Sequence, residues 1–340
     1  MFFKEYVFFR KPYVVLFNDN KIMNRQFIHI GYAKSGSSAL QSSFFPNHPE
    51  IYFYGLFDDF SGTGNTNFSF STESGTRICH QLRSPGFFNR FLNEDIKNLN
   101  FHIAKAKENN QTFVLSNEFF SLFDAPQWSV GQLKELFPEG KIIIIIRRQQ
   151  DIIKSVYKHQ GREISVAPKK YRGLYVSFNE YFDYLYENWQ KKNPVHWVYS
   201  FLNKIDYYRT ISYYSHEFGV ENIHVLLYED FKNNPIKFYT KLCNVMDISF
   251  DAEAEYIKMN KIVNPGTNNL QLKYFAIKSK ILGNISLARS VPGGKLLAKY
   301  LYNNMEHVGT GHKLELTNEQ VSIIKNIFKD GNQTISNELS

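Results

Sequence analysis

The chain has 340 residues, a formal net charge of +8 at pH 7, 43% hydrophobic residues and 16% aromatic residues. This length and apolar content exclude a disordered chain and are sufficient for a core without covalent cross-links. The two cysteines, Cys79 and Cys243, exclude a disulfide scaffold and a four-cysteine zinc site. So few cysteines are typical of a reducing compartment, and we therefore expect a cytoplasmic protein.

The charge and the apolar runs limit the classes of partner. No apolar stretch reaches the roughly 18 residues that a bilayer crossing requires, so we expect no transmembrane segment. Residues 1–17 are apolar but interrupted by charges, which predicts an ordinary packed segment; peripheral contact with the inner membrane surface is the alternative. The positive charge favours an anionic partner, but no block of basic residues indicates specific nucleic-acid binding.

Hydrophobic periodicity and turn residues predict an alternation of strands and helices. The predicted strands are 26–31, 51–54, 112–116, 141–146 and 222–228. The predicted helices are 38–45, 94–108, 129–137, 149–159, 178–190, 205–217, 230–246, 268–281 and 318–329. Residues 55–75 are predicted to form a long surface loop, either a lid or binding loop or an insertion without a role, and residues 158–173 a basic, flexible stretch.

This alternation predicts an α/β fold in which a parallel β-sheet is flanked by helices on both faces. The carboxyl ends of parallel strands meet at one edge, where ligands bind in such folds. Polar residues follow four of the predicted strands at that edge, namely 31–38, 117–118, 147–148 and 229–230. The search for a functional site therefore concentrates on these four segments.

The segment between the first strand and the first helix has the composition of an anion-binding loop. Gly36 permits close backbone approach, and the following helix directs its N–H groups and positive dipole end towards a ligand. Lys34 adds a point charge on a flexible side chain. Hydroxyl donors come from Ser35, Ser37 and Ser38.

The loop differs from the nucleotide P-loop, G-x-x-x-x-G-K-[ST], in the position of its cation. Gly31 and Gly36 have the right separation, but Ser37 stands where the P-loop has lysine. A nucleoside-triphosphate enzyme also needs an aspartate at the end of a second strand to help hold Mg²⁺, whereas strand 141–146 ends in Arg147. Both departures favour an anionic nucleotide bound without a metal. A magnesium-dependent kinase of the P-loop type is the first alternative.

At residues 28–41 the sequence IHIGYAKSGSSALQ resembles the 5′-phosphosulfate-binding loop of the sulfotransferases that use 3′-phosphoadenosine-5′-phosphosulfate (PAPS). In that family an arginine also ends a strand, followed by an acidic residue four positions later and a serine eight positions later. Arg147, Asp151 and Ser155 match this pattern. The resemblance implies a P-loop-like sulfotransferase fold, PAPS as donor and adenosine 3′,5′-bisphosphate (PAP) as product. It also implies that residues 34–38 bind the phosphosulfate, and that Arg147 and Ser155 hold the 3′-phosphate.

Weaker matches extend the resemblance, which is closest to bacterial and carbohydrate sulfotransferases. Residues 114–121, VLSNEFFS, resemble the element that carries a catalytic glutamate in carbohydrate sulfotransferases, and residues 225–248 resemble a late strand–helix segment of the family. This implies that Glu118 is the general base; the alternative is that Glu118 orients Lys34 or caps a helix. The family's late basic, glycine-rich loop is not clear, and 263–269 is the best candidate for it.

The resemblance covers about residues 26–275, and we expect one domain over 1–340 with a C-terminal helical extension at about 276–340. Three nearby residues are given structural roles from the residues themselves. Arg148 is expected to be exposed, Asp151 to be a first-turn helix charge, and His29 to be a satisfied core residue.

The expected reaction is an in-line transfer of the sulfuryl group without a metal. Lys34 would stabilise the bridging and sulfuryl oxygens, as preorganised electrostatic donors do in acyl and phosphoryl transfer. The resemblance favours a carbohydrate or glycolipid acceptor that presents a hydroxyl or amine. The second alternative is a non-catalytic module that binds sulfated or phosphorylated polymers. The oligomeric state is left open by the sequence.

Overall fold

The computed structural model describes residues 25–32, 34–58, 68–70, 72–83, 91–122, 126–164, 171, 174–191, 201–250, 273 and 314–339. Its strands are β1 (Gln26–His29), β2 (Ile51–Phe53), β3 (Leu56–Asp58), β4 (Phe68–Phe70), β5 (Thr112–Ser116), β6 (Lys141–Ile146) and β7 (Ile223–Leu227). Within the described residues, five of these form one parallel sheet in the order β2-β5-β1-β6-β7. The predicted parallel sheet is confirmed.

The helices connect and cover these strands. They are α1 (Ser37–Ala39), continued by a π-helical turn (Leu40–Phe44), α2 (Glu73–Arg83), α3 (Asn93–Glu108), α4 (Phe119–Leu122), α5 (Pro126–Leu136), α6 (Gln149–Ile164), α7 (Phe178–Gln190), α8 (Phe201–Lys204), α9 (Tyr207–Phe218), α10 (Tyr228–Asn233), α11 (Pro235–Met246) and α12 (Asn318–Leu339). Within this part of the chain, no helix combines the length and the apolarity needed to cross a membrane.

The sheet is buried on both faces, as the five consecutive isoleucines of β6 predict. Ile142 and Ile144 pack in one core with residues of α2, α5, α6, α7, α9 and α12, whereas Ile143 and Ile145 pack in a second core with the π-helical turn and α11. This division follows from the alternation of side chains along a strand. Burial of each such side chain stabilises the fold by about 1.5–3 kcal/mol. The helices therefore lie on both faces, as predicted.

The predicted loop at 55–75 is wrong in part. Strands β3 and β4 form an antiparallel pair, with Leu56 opposite Phe70, and α2 begins at Glu73. Thr72 caps that helix, because its Oγ1 accepts a hydrogen bond from the Gly75 backbone N–H at 2.9 Å. The abundance of Ser, Thr and Gly concealed these short strands and this capping residue. Residues 59–67 lie outside the described part of the chain.

Two predicted helix boundaries are also corrected. Helix α6 continues to Ile164, so residues 158–164 of the predicted flexible stretch are helical, and Gly161 does not interrupt it. The predicted helix 230–246 is two helices, α10 and α11. Asn234 separates them because its side chain accepts a hydrogen bond from the Lys237 N–H at 3.0 Å, and Pro235 occupies the first position of α11.

The C-terminal segment is described only from residue 314 onwards, apart from Lys273. Helix α12 extends ten residues beyond the predicted end at 329, and its Ile324, Phe328 and Ile335 side chains are buried in the larger core. The predicted helix 268–281 and the candidate loop 263–269 lie outside the described residues, with Lys273 the exception.

Candidate active site

The loop after β1 has an unusual backbone conformation. Lys34 has φ 67°, and Gly36 has φ 89° as the residue that caps the amino end of α1. Between them, the Ser35 N–H donates to the Tyr32 carbonyl at 3.1 Å, which closes a turn. A positive φ at a residue other than glycine costs of order 1–3 kcal/mol and is concentrated at functional sites. The conformation of Lys34 thus marks this turn as a candidate ligand-binding element.

The two glycines of the loop are required for different reasons. A Cβ at Gly31 would lie 2.6 Å from His29 Nε2 and closer still to Ser37 Oγ, so a side chain there would force the buried His29 ring and Ser37 to move. At Gly36 a Cβ would meet the Tyr228 ring at 3.4 Å, which is tolerable, and the positive φ is what favours glycine. In this P-loop-like spacing, Gly31 is therefore favoured by the close approach of neighbouring side chains and Gly36 by its left-handed backbone conformation.

Lys34, Glu118 and Arg147 come together at the carboxyl edge of the sheet. Arg147 Nη1 donates to the Lys34 carbonyl at 2.8 Å. Burial lowers the pKa of the Lys34 ammonium, the Glu118 carboxylate opposes this by raising it, and the positive charge of Arg147 lowers it further. Lys34 therefore interacts with both Glu118 and Arg147, and the sequence placed these three residues after three different strands.

Glu118 is half-buried where β5 ends and α4 begins. Its backbone is attached to the loop, because the Asn117 N–H donates to the His29 carbonyl at 3.0 Å. The Ser121 hydroxyl lies within hydrogen-bonding distance of two carbonyls, that of Gly31 at 3.1 Å and that of Glu118 at 2.9 Å. The carboxylate is therefore carried by a segment whose position is fixed relative to Lys34.

Arg147 is held on several sides. Its guanidinium Cζ lies 4.4 Å from the centroid of the Tyr228 ring, and its carbonyl accepts a hydrogen bond from the Tyr207 hydroxyl at 2.5 Å. Its Nε is buried and has no hydrogen-bond partner among the described residues. Since a guanidinium carries five N–H donors, Arg147 keeps donor capacity for an anion.

The predicted serines differ in their surroundings. Ser35 Oγ is buried without a hydrogen-bond partner in the described part of the chain, Ser37 Oγ donates to the Tyr32 carbonyl at 3.4 Å, and Ser38 is exposed. Ser155 is half-buried two turns into α6 and makes no hydrogen bond to the other predicted residues. The structure thus groups the loop with Arg147 and Glu118, but it does not join Ser155 to them.

His29 is buried, as expected, but only one of its ring nitrogens has a hydrogen-bond partner in the part of the chain that the structure describes. Its Nδ1 lies 2.7 Å from Ser116 Oγ, which also accepts a hydrogen bond from Gln41 Nε2 at 3.0 Å. His29 Nε2 has no partner among the described residues. Burial lowers the pKa of the imidazole to about 3, so His29 is neutral at physiological pH. The expectation of a satisfied core histidine is therefore wrong for Nε2.

Two residues near Arg147, Tyr228 and Lys158, were missed by sequence reasoning, and Glu229 was expected at this edge of the sheet without a contact being assigned to it. Tyr228 and Glu229 follow β7, and both contact the segment that follows β6. Lys158 lies one helical turn after Ser155, and its pKa is lowered by burial and by the charges of Lys154 and Arg147. The spacing of Lys158 from Ser155 could have indicated this residue, whereas the contacts of Tyr228 depend on which strands are neighbours.

The site has positively charged hydrogen-bond donors at two places, the Lys34 turn and Arg147. It has one carboxylate, that of Glu118, between β5 and α4. The turn at 34–38 presents Lys34, a buried hydroxyl and the first N–H groups of a helix, all suited to an anion. Arg147 presents a second cation beside it. Within the described residues, no group of three His, Cys, Asp or Glu side chains is arranged to hold a metal ion.

The sequence matches the family described as sulfotransferase domain over residues 24–331, which is most of the chain. No curated protein matches it significantly. Similar solved structures include the sulfotransferase from Alicyclobacillus acidocaldarius (19% identity, 77% of this chain and 94% of that one, TM-score 0.44). A second is the sulfotransferase domain from the curacin biosynthetic pathway (11% identity, 91% of this chain and 99% of that one, TM-score 0.41). A third is the sulfotransferase domain from the Synechococcus PCC 7002 olefin synthase (13% identity, 84% of this chain and 96% of that one, TM-score 0.38).

All three TM-scores lie below 0.5, so the assignment depends on the family match. That match includes both elements singled out in the sequence, the turn at 34–38 and the segment that begins at Arg147. The chain belongs to the sulfotransferase domain family and is a sulfotransferase.

Proposed function

We propose that this sulfotransferase uses PAPS as donor and transfers its sulfuryl group to a hydroxyl or amine of a carbohydrate or glycolipid, in the cytoplasm. The observation that supports the proposal most directly is the hydrogen bond from Arg147 Nη1 to the Lys34 carbonyl. This bond joins Arg147 to the turn that contains Lys34, which supports their assignment to one nucleotide site. A donor with anionic groups at both ends of one nucleoside suits such a pair of cations.

Unused polar atoms at both elements fit such a donor. Ser35 Oγ and Arg147 Nε are buried without partners among the described residues, and buried polar groups in that state are unusual in folded proteins. An anion accepts hydrogen bonds from both types of donor. In the proposed assignment, residues 34–38 hold the 5′-phosphosulfate, and Arg147 holds the 3′-phosphate. Ser155 and Lys158 complete the 3′-phosphate site from α6.

PAPS, when bound, supplies an electrophilic sulfur and a phosphate leaving group. The Lys34 ammonium then stabilises the negative charge that develops on the leaving oxygen. The Glu118 carboxylate accepts the proton of the acceptor hydroxyl or amine. Burial lowers the pKa of Lys34, and the Glu118 carboxylate opposes this by raising it, which favours the protonated ammonium. The pair thus supports both proton acceptance and charge stabilisation at the sheet edge.

The choice of a carbohydrate or glycolipid acceptor has a separate basis. It depends on the resemblance of residues 114–121 to the glutamate-bearing element of carbohydrate sulfotransferases, and on the position of Glu118 beside Lys34. A carboxylate base suits a sugar hydroxyl because that proton is too weakly acidic to leave unaided.

A transfer assay tests the proposal. The protein is incubated with PAPS carrying a radiolabelled sulfuryl group and with a panel of oligosaccharides and glycolipids. We expect label to move to at least one member of the panel. Label that moves only to acceptors without sugar contradicts the acceptor class. Binding of anionic polymers without transfer favours the non-catalytic module, and transfer from γ-labelled ATP with Mg²⁺ favours the kinase.

The 3′-phosphate assignment predicts unequal losses of ligand affinity when Arg147 is replaced. Arg147→Ala is expected to weaken PAP binding by roughly 30–5,000-fold, since loss of one partner of a hydrogen-bonded charge pair costs about 2–5 kcal/mol. Binding of 5′-AMP, which lacks the 3′-phosphate, should weaken much less. Isothermal titration calorimetry measures both. Arg148→Ala is the matched control because Arg148 is exposed, and it should leave both affinities unchanged. Equal losses for the two ligands would contradict the assignment.

A further inference from the structure

We propose that Tyr228 and Glu229, the first two residues of α10, are positioning residues that hold Arg147 in the orientation that recognises the donor's 3′-phosphate. This inference rests on the proposed function, because it assumes that Arg147 binds that phosphate. Neither residue is assigned contact with the donor. Each acts through the Arg147–Arg148 segment, Tyr228 on its side chain and Glu229 on its backbone.

The Tyr228 ring lies close to both proposed phosphate-binding elements. The Arg147 guanidinium Cζ lies 4.4 Å from the ring centroid, at the distance of a stacked cation–π pair. The same ring is near Gly36, since a Cβ built on that residue would lie 3.4 Å from Tyr228 Cδ2, an ordinary van der Waals distance. The Tyr228 ring is therefore close to both the loop and Arg147.

Glu229 holds the backbone that carries Arg147. Its Oε1 accepts a hydrogen bond from the Arg148 N–H at 3.0 Å. The Arg148 carbonyl in turn accepts hydrogen bonds from the N–H groups of Asp151 and Ile152, at 2.9 and 3.0 Å, so Arg148 is the capping residue of α6. Glu229 thus fixes the chain between the end of β6 and the beginning of the helix that carries Ser155.

The sheet register explains why this pair meets Arg147. Strands β6 and β7 are parallel neighbours, with Ile146 opposite Leu227 as the last pair. The next residue of each strand is Arg147 and Tyr228, so the two side chains leave the sheet edge at the same level. Tyr207 adds a further attachment through its hydrogen bond to the Arg147 carbonyl. The position of Arg147 is therefore determined by three separate contacts.

These contacts matter because a guanidinium is selective only when its plane is fixed. Nη1 is already used on the Lys34 carbonyl, and the stack on Tyr228 restricts rotation of the group. What remains for a phosphate is Nε and the other N–H groups, in one orientation. Fixing them before the ligand arrives lowers the entropy lost on binding. Loss of the stack should therefore reduce affinity for the 3′-phosphate rather than for the nucleoside.

The test compares Tyr228→Leu with Tyr228→Phe. We expect Tyr228→Leu to raise the Kd of PAP about tenfold, as loss of a desolvated cation–π contact does, with less than about a twofold change for 5′-AMP. Tyr228→Phe keeps the ring and should bind both ligands like the unmodified protein. In an Arg147→Ala background, Tyr228→Leu should cause no further loss of PAP affinity. The KM for PAPS should rise with kcat nearly unchanged.

Substitution of Glu229 gives an independent test that leaves the Tyr228 ring unchanged. Glu229→Gln keeps an oxygen that accepts from the Arg148 N–H and should behave like the unmodified protein, whereas Glu229→Ala should weaken PAP binding. Asp230→Ala is the control on the neighbouring residue. If Tyr228→Leu fails to fold, this comparison decides the matter. Equal binding of PAP by the Ala and Gln variants would then overturn the inference.

Failure of the inference and failure of the proposed function give different results. If the unmodified protein binds no PAP, the proposed donor is wrong, and the inference is overturned with it. If the unmodified protein binds PAP but Tyr228→Leu binds it equally well, or loses PAP and 5′-AMP affinity alike, only the inference is overturned. A loss confined to PAP and absent in the Arg147→Ala background supports both.

Discussion

Replacing Lys34 by alanine is expected to lower the rate of sulfuryl transfer by roughly 10²–10³, the range for loss of one preorganised electrostatic donor. The reason is the position of Lys34 on the strained turn, beside both Arg147 and Glu118. The loss should fall mainly on kcat, because residues 35–38 and Arg147 still hold the donor. Steady-state kinetics with PAPS and the acceptor found in the transfer assay measures this effect.

The control is Lys329→Ala, which removes an exposed lysine from α12 and should leave kcat unchanged. The pH dependence gives a second readout. Burial lowers the pKa of Lys34, and the protonated form is the active one, so activity is present below this pKa and is lost as pH rises through it. On the alkaline side of the pH–rate profile, activity should therefore be lost at a lower pH than the titration of an ordinary lysine would give. Full activity in Lys34→Ala would refute the assigned role.

Glu118→Gln is expected to lower kcat by roughly 10²–10⁴, the contribution typical of a positioned general base. Affinity for PAP should change little, because the amide has nearly the shape of the carboxylate and Glu118 is not assigned to the donor. The variant also removes the group that raises the pKa of Lys34. The alkaline limb of the residual activity should therefore move to lower pH.

The same variant separates the base from the alternative role of orienting Lys34 or capping a helix. A general base takes the acceptor's proton in the transfer step, so kcat in Glu118→Gln should stay low at every pH of the profile. A residue that only orients Lys34 would alter the alkaline limb and leave kcat near the wild-type value on the neutral side of it. Glu139→Gln, at an exposed position, is the matched control. A kcat in Glu118→Gln equal to that of the wild-type protein would rule out Glu118 as the general base.

The central sheet could be predicted from sequence because its signals are local. Five consecutive isoleucines in β6 and the run TFVLS in β5 indicate strands buried on both faces, and both have the predicted bounds. Boundaries that depend on a single hydrogen bond were missed. The cap at Thr72 and the break at Asn234 each depend on one side-chain oxygen that accepts a backbone N–H.

The candidate site was predictable only where one short segment carries it. The turn around Lys34 and the arginine after β6 each stand within a continuous motif, and the edge rule for parallel sheets brings both to the same side. The contact between Arg148 and Glu229 spans 81 residues. It depends on β6 and β7 being neighbours, which composition and periodicity do not specify. The positions of Tyr207 and of His29 Nε2 are likewise properties of packing.

Calorimetric titration of the unmodified protein with PAP, beside a titration with ATP and Mg²⁺, tests the central claim most directly. The claim is that the Lys34 turn and Arg147 together hold one adenosine nucleotide that carries phosphate at both its 5′ and 3′ positions. We predict saturable binding of PAP that is much tighter than binding of MgATP and is weakened by Arg147→Ala. Saturable binding of MgATP without measurable binding of PAP would contradict the claim.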